Sequence, residues 1–379
     1  MLMKKWIFLV ITALIAVQLA ALALAAGAPS VSAASAIVIE PKTGAVLYEK
    51  NARQRLSMAS TTKIMTGLIL AEQPSLDKEI VTTDEMVRVE GSSMGLRAGF
   101  TVSYRSLLYG LLLVSGNDAA NTIAISIAGS RLAFAELMNA RAKELGMKDT
   151  HFVTPSGLDD KEHYTTAYDM AILAAKALEN SDFAAAAGSK TATVMFGNPP
   201  RQYMLGNHNR LLRTYKGAIG VKTGFTKKSG RCLVSAADRE GKRVIAVTLK
   251  ASSDWNDHTR MLDYGLSLLE SRPLDIALPA ETLPVAGAET ALDIEADPLH
   301  IALRPADFET LTRVVNLPHF LYAPVTPGQP VGFIEYFCGG RAVARTTIRT
   351  AGGAPLPPPP SPPEWHDRFA EQFRALLGG

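Results

Sequence analysis

The apolar positions of this chain change period several times, and each change marks an element. In "SAIVIEPKTGAVLYEK" two short apolar runs flank Pro41-Lys42-Thr43-Gly44, predicting an antiparallel hairpin. From Ser60 onward Ile64, Met65, Leu68 and Ile69 recur at helical spacing, predicting a helix with one apolar stripe and Ser60 in its first turn. "SYRSLLYGLLLVSGNDAANTIAISIAG" is apolar on both sides of Ser115-Gly116-Asn117, with too few consecutive apolar residues to cross a bilayer. It predicts two core helices joined by a tight polar loop. After an Ala-rich helical middle, "GAIGVKTGF", "GRCLVSAADRE" and "KRVIAVTLKA" follow closely, with links at 226–229 and 240–241 that suit hairpins; they predict an antiparallel meander. "TRMLDYGLSLLE" is a closing helix. Strands at both ends with helices between them make residues 34–272 an α+β domain, an antiparallel sheet flanked by helices.

Past Arg272 the pattern shortens to pieces such as "ALDIEA", "LHIALR", "VGFIEYF" and "AVARTTIRT", punctuated by Pro and Gly, which predicts a small β-rich domain over 273–352. "GGAPLPPPPSPP" covers a stiff linker, 353–363. In the tail, 364–379, Trp365, Phe369, Phe373, Leu376 and Leu377 fall near one helical face. Such a helix either lies on a membrane surface or docks on its own protein. At the other end Lys4 and Lys5 precede an apolar stretch, 6–26, and Val31-Ser32-Ala33 suits cleavage after Ala33, so 1–33 reads as a signal peptide or an uncleaved anchor. Either way the remainder is exported.

Composition narrows the partners. The chain has 379 residues, 47% hydrophobic and 20% charged, with a net charge of +3. It has no basic stripe or like-charge run, so nucleic acid is not an expected partner. Cys232 and Cys338 fall in different predicted domains and imply no disulfide framework; both suit buried, unreactive thiols.

The candidate chemistry begins at Ser60 and Lys63. Residues three apart on a helix face the same way, so the Lys63 amine reaches the Ser60 hydroxyl. Serine needs a base beside it to act as a nucleophile. A lysine serves when it is neutral, which desolvation and a second cation favour; Lys222 is the natural second cation. The helix start offers backbone N–H groups where an oxyanion forms. Ser115 suits proton relay and Asn117 offers a donor and an acceptor. Thr223 and Gly224 give a hydroxyl and an open strand edge for an extended peptide. A lone match means little: Ser75 with Lys78 repeats the first spacing, and Lys-Thr-Gly also occurs at Lys42. Only the set with Ser60 has all three elements in order, each on a suitable structure.

"SMASTTKIMTG", "LLLVSGNDAANTIA", "TPSGLDDKEHYTTAYDMA" and "GVKTGFTKKSGRCLVSAA", with the β-rich second domain and amphipathic tail, resemble the serine D-alanyl-D-alanine carboxypeptidases of the low-molecular-weight penicillin-binding proteins, peptidase type S11. The resemblance implies a β-lactamase/transpeptidase-like fold. It implies Ser60 as acylated nucleophile, Lys63 as general base, Ser115 and Asn117 as proton shuttle and positioner of Lys63, and Lys222 as electrostatic tuner. Thr223 would meet the substrate carboxylate, and the Ser60 and Phe225 N–H groups would form the oxyanion hole. The implied reaction removes the terminal D-alanine from peptidoglycan stem pentapeptides in cell-wall maturation, outside the cytoplasm, with β-lactam antibiotics as acylating inhibitors. No metal or organic cofactor is implied.

Several points stay open on the residues alone. Arg201, Arg210, Arg231 and Arg260 all compete for the substrate carboxylate, and His151 and His163 flank a segment near the site without an assigned role. A β-lactamase using Glu162, a D,D-endopeptidase and a non-catalytic penicillin-sensing or wall-binding module are the alternative functions.

Overall fold

The computed structural model describes residues 27–288, 291–356 and 364–377. The apolar stretch 6–26 and most of the Pro-rich linker lie outside the described residues.

The first hairpin forms as its pattern predicts. Strand β1 (Ser35–Ile39) pairs with β2 (Val46–Lys50) from Ala36 opposite Lys50 to Ile39 opposite Val46, and Gly44 at φ 75° closes the turn. The three later runs become β3 (Ala218–Thr226), β4 (Gly230–Arg239) and β5 (Lys242–Ala251). They join the hairpin in one five-stranded antiparallel sheet of order β2-β1-β5-β4-β3. The N-terminal hairpin thus docks beside the last strand of the meander, a pairing of residues over 200 positions apart.

Three helices carry the front motifs: α1 (Lys63–Ala71), α2 (Tyr104–Leu113) and α3 (Asn117–Ala128). Every residue of α1 is buried, not just one stripe. The reason is its central position: α1 touches α2, α3 and three further helices, Arg131–Glu144, Ala167–Ala177 and Ser181–Gly188, and Gly67 lets the Phe183 ring come within 3.0 Å of where a Cβ would sit. A helix surrounded on all sides needs no polar face. The closing helix, α4 (Asp254–Ser267), lays Met261, Leu262 and Leu266 on the opposite face of the sheet, against Val38, Leu47 and Val244. One element escapes the pattern. Thr191–Gly197 and Pro200–Gly206 form a hairpin in a four-stranded sheet. Val194, Phe196 and Leu205 are its buried apolar side chains, with Ala192 and Tyr203 partly buried beside them, too weak an alternation to stand out beside the Ala-rich helix before it.

The chain divides into two compact units. One contains the residues up to Arg272 together with Ile301–Glu309; the other contains Pro273–His300 and the chain from Thr310. The second unit holds a five-stranded sheet built from Thr282–Leu283, Leu292–Ala296, Arg341–Thr350, Pro330–Cys338 and Thr312–Asn316, in that order. The architecture is α+β with a C-terminal β domain.

The expected cleavage point after Ala33 falls inside the fold. Val31 and Ala33 are buried with the α4 face of the sheet, and Ser32 donates from both its backbone N–H (2.9 Å) and its hydroxyl (2.6 Å) to the fully buried Asp257 carboxylate. Among the described residues no helix is long and apolar enough to cross a membrane.

Candidate active site

Residues Ala59–Thr62 form a single tight helical turn that leads into α1. Ala59 opens it with φ 47°, a left-handed conformation that costs a residue with a Cβ about 1–3 kcal/mol and needs outside support. Support comes from Thr61 and Thr62, whose hydroxyls donate back to the Met58 and Ala59 carbonyls at 2.7 and 2.8 Å. His163 adds a third tie. Val153 N–H donates to its Nδ1 (2.9 Å), so Nε2 carries the hydrogen and donates to Thr62 Oγ1 at 2.8 Å. Burial lowers the His163 pKa to about 4, which keeps the ring in this neutral form.

Lys63 is fully buried one turn from Ser60. Its Nζ lies 2.9 Å from Ser60 Oγ, 2.7 Å from Asn117 Oδ1 and 2.7 Å from the Ser156 carbonyl oxygen, to each of which it can donate. Asn117 Nδ2 donates to the Glu90 carbonyl at 2.7 Å, which fixes the orientation of the amide. The lysine pKa is pushed well below its usual range, first by burial and then by the Lys222 charge, with Asp118 pulling the other way. A neutral amine has two hydrogens and one lone pair. Two of its neighbours are carbonyl oxygens that only accept, so the hydrogens go to them and the lone pair faces the Ser60 hydroxyl. The turn thereby presents a serine with an amine in hydrogen-bond contact.

Ser115 sits between α2 and α3 at φ 60°, and Gly116 N–H donates to the Gly110 carbonyl beside it. The next residue but two is a latch. Asp118, fully buried, accepts from the Ser93 hydroxyl and from the backbone N–H groups of Met94, Gly95 and Leu96. Asn117 N–H adds a bond to the Ser92 carbonyl. The loop 90–96 is therefore stitched onto the start of α3.

Strand β3 supplies the other wall. Lys222 is 1% exposed, its Nζ donates to the Thr223 carbonyl at 3.0 Å, and burial lowers its pKa to about 7. Gly224 lies so close to the nucleophile turn that a Cβ would stand 3.0 Å from Thr61 N, 3.1 Å from Ser60 N and 3.2 Å from Met58 O. Cys232, opposite Gly224 on β4, is buried, and burial raises its pKa to about 11; it is an inert thiol.

A cavity of about 320 Å³ opens over these residues. Ser60, Ser115, Thr223, Gly224 and Phe225 line it, while Lys63, Asn117 and Lys222 are buried. Of the four arginine candidates only Arg231 reaches this cavity, where it faces Asp254 at 3.6 Å. Arg201 lines another cavity, Arg210 stacks on Trp255, and Arg260 pairs with Asp257. His151 and Glu162 are on the exterior, joined by a bond from the His151 ring to the Glu162 carbonyl, and Glu162 lines neither this cavity nor the next. The sequence reading missed His208, an exposed wall residue of the cavity, and the Ser156 carbonyl. His208 stands in no recognisable spacing, and a backbone acceptor leaves no residue signal.

With the geometry in place, comparison with known proteins is direct. The profile of the D-alanyl-D-alanine carboxypeptidase family, peptidase S11, matches residues 23–253. D-alanyl-D-alanine carboxypeptidase DacF of Bacillus subtilis is 34% identical over 330 residues, covering 83% of this chain and 84% of that protein. The solved D-alanyl-D-alanine carboxypeptidase DacD of Francisella tularensis superposes with a TM-score of 0.61 at 29% identity, over 86% of this chain and 95% of that one. The Streptomyces K15 DD-transpeptidase superposes with a TM-score of 0.60 at 34% identity, over 64% of this chain and 99% of that one. The pairing of a buried lysine with Ser60 thus occurs on a scaffold shared with these enzymes, and the chain belongs to the peptidase S11 family of D-alanyl-D-alanine carboxypeptidases.

Proposed function

We propose that this protein is a serine-type D-alanyl-D-alanine carboxypeptidase that removes the terminal D-alanine from peptidoglycan stem pentapeptides through an acyl-enzyme on Ser60. The observation that carries this reading is the buried Lys63 amine, held by two carbonyl oxygens at 2.7 Å with Ser60 Oγ 2.9 Å away. Lys63 takes the Ser60 proton as the hydroxyl attacks the D-alanyl carbonyl. The N–H groups of Ser60 and Phe225 receive the oxyanion. Ser115 passes a proton to the departing amine, and Asn117 positions Lys63. Lys222 supplies positive charge, and the Thr223 hydroxyl meets the terminal carboxylate, with Gly224 leaving the strand edge open to the peptide. Water then releases the shortened stem. β-Lactams acylate the same serine.

The enzyme works on the outer side of the cytoplasmic membrane, after export directed by its apolar N-terminal stretch. Its C-terminal helix, Glu364–Leu377, exposes Phe369, Phe373, Leu376 and Leu377, which supports contact with the membrane surface. Sedimentation with anionic vesicles checks that contact: the full chain should pellet and a chain ending at 356 should not.

The decisive assay incubates the full-length protein with diacetyl-Lys-D-Ala-D-Ala and measures free D-alanine. Release that vanishes in Ser60→Ala is the expected result. A folded protein that releases none would overturn the reading.

A further inference from the structure

Phe225, whose N–H receives the oxyanion in the proposed mechanism, has an anchor on each side along β3. Before it, Gly224 presses on the nucleophile turn, where a Cβ would stand 3.0 Å from Thr61 N and 3.1 Å from Ser60 N. After it, Thr226 Oγ1 donates to Asp159 Oδ1 at 2.9 Å, and Ser229 Oγ donates to the same oxygen at 3.2 Å. Ser229 N–H donates in turn to Thr226 Oγ1 at 2.9 Å, so the whole turn 226–229 closes on one carboxylate. Lys228 Nζ adds a bond to the Asp160 carbonyl at 3.1 Å. Outside the β3–β4 hairpin, the hydrogen bonds of residues 226–229 among the described residues go to Asp159 and Asp160 alone. The Phe225 side chain is exposed and does little to hold its own N–H in place.

Asp159 belongs to the loop 154–163, and that loop is seated on the opposite half of the site. The Pro155 carbonyl accepts from the Thr66 hydroxyl at 2.6 Å, and the Ser156 carbonyl accepts from Lys63 at 2.7 Å. Gly157 packs so closely that a Cβ there would collide with the Ala59 carbonyl. The nucleophile turn, this loop and β3 thus touch pairwise, and Asp159 is the side chain that joins the loop to β3. Hydrogen bonds to an ionised carboxylate are about twice as strong as neutral ones, which suits the residue to hold a strand end. An oxyanion donor acts only at the right distance from the developing charge.

We infer that Asp159 is a positioning residue for the D,D-peptidase reaction: by bonding Thr226 and Ser229 it fixes the Phe225 N–H where the oxyanion forms. The inference rests on the carboxypeptidase reading of Ser60 and deepens it. Asp159 itself takes no proton and touches no reacting atom. The same N–H serves the tetrahedral intermediates of acylation and of deacylation, so its displacement slows whichever step limits turnover. Binding of the intact substrate develops no oxyanion and is spared.

The test measures kcat and KM for diacetyl-Lys-D-Ala-D-Ala with the full-length protein. Asp159→Ala should lower kcat about tenfold and leave KM within about twofold, the donor being displaced but not removed. Asp159→Asn, whose amide oxygen still accepts both hydroxyl bonds, should return kcat to within about threefold of the starting protein. Thr226→Val removes the first donor and should slow turnover as Asp159→Ala does, with the double variant losing no more than either single one. Asp159 is exposed, so its variants should keep the fold, which circular dichroism checks; if Asp159→Ala does not fold, Thr226→Val alone decides. An unchanged kcat, a loss that falls on KM instead, or an Asp159→Asn protein as slow as Asp159→Ala each overturns the positioning role. No D-alanine from the unaltered protein would instead overturn the parent reading.

Discussion

On the proposed mechanism two lysines within one buried site divide the electrostatic work between them. Lys63 has to be neutral to accept a proton, and its burial and the nearby Lys222 charge both favour that form. Lys222 has to be charged to do its part, and burial brings its pKa to about 7. The signs then set the pH profile. As pH rises Lys63 loses its proton and kcat/KM climbs; above about 7 Lys222 loses its own and kcat/KM falls. The two limbs belong to the coupled pair. Lys222→Arg keeps a charge that does not titrate in this range, so its profile should keep the acidic limb and lose the alkaline one. A profile of unchanged shape would remove Lys222 from this role. At this scale Ser60, Lys63, Ser115, Asn117 and Lys222 were legible because three motifs occur in order. Ser156 was not, since a carbonyl 93 residues from its lysine carries no side-chain signal. Nor did the motifs separate the four arginines, whose roles depend on which of them the fold turns toward the cavity.

At the scale of elements the site is a seam between the nucleophile turn, the α2–α3 corner and the edge strand β3. Gly224 measures how tight that seam is. A methyl at 3.0–3.2 Å from three backbone atoms has no flexible side chain to displace, so the strand or the turn has to move. Gly224→Ala should slow acylation by benzylpenicillin at least about tenfold, since misplacement by 1 Å costs about 100-fold. Its melting temperature should fall only a few degrees, because the change lies at an edge. Acylation at the starting rate would show that the seam yields freely. The helices, the meander and the first hairpin were readable from period alone. The hairpin 191–206 was not, and neither was the latch of loop 90–96, because Asp118 binds backbone N–H groups that any sequence would supply.

At the scale of the whole molecule the C-terminal helix and the segment 31–33 dispose of their apolar side chains in opposite ways. The tail presents apolar side chains outward, while the segment near the start is drawn into the first unit by Ser32 and Asp257. A chain beginning at Ala34 would lose the burial of Val31, about 1.5–3 kcal/mol. It would also deprive a fully buried carboxylate of two donors, about 1–3 kcal/mol more. At about 2–4 °C per kcal/mol for a domain of this size, it should melt at least about 5 °C below a chain beginning at Ala26 when both are followed by circular dichroism. Equal melting would mean that the strap contributes nothing. If the strap does contribute, it limits the leader peptidase, which needs an extended, accessible chain and would have to cut before Val31. Ala23-Leu24-Ala25 provides a small-residue recognition site there. Mass spectrometry of the exported protein should then find Val31, Ser32 and Ala33 retained, so that maturation leaves intact the bonds from Ser32 that hold the segment to α4.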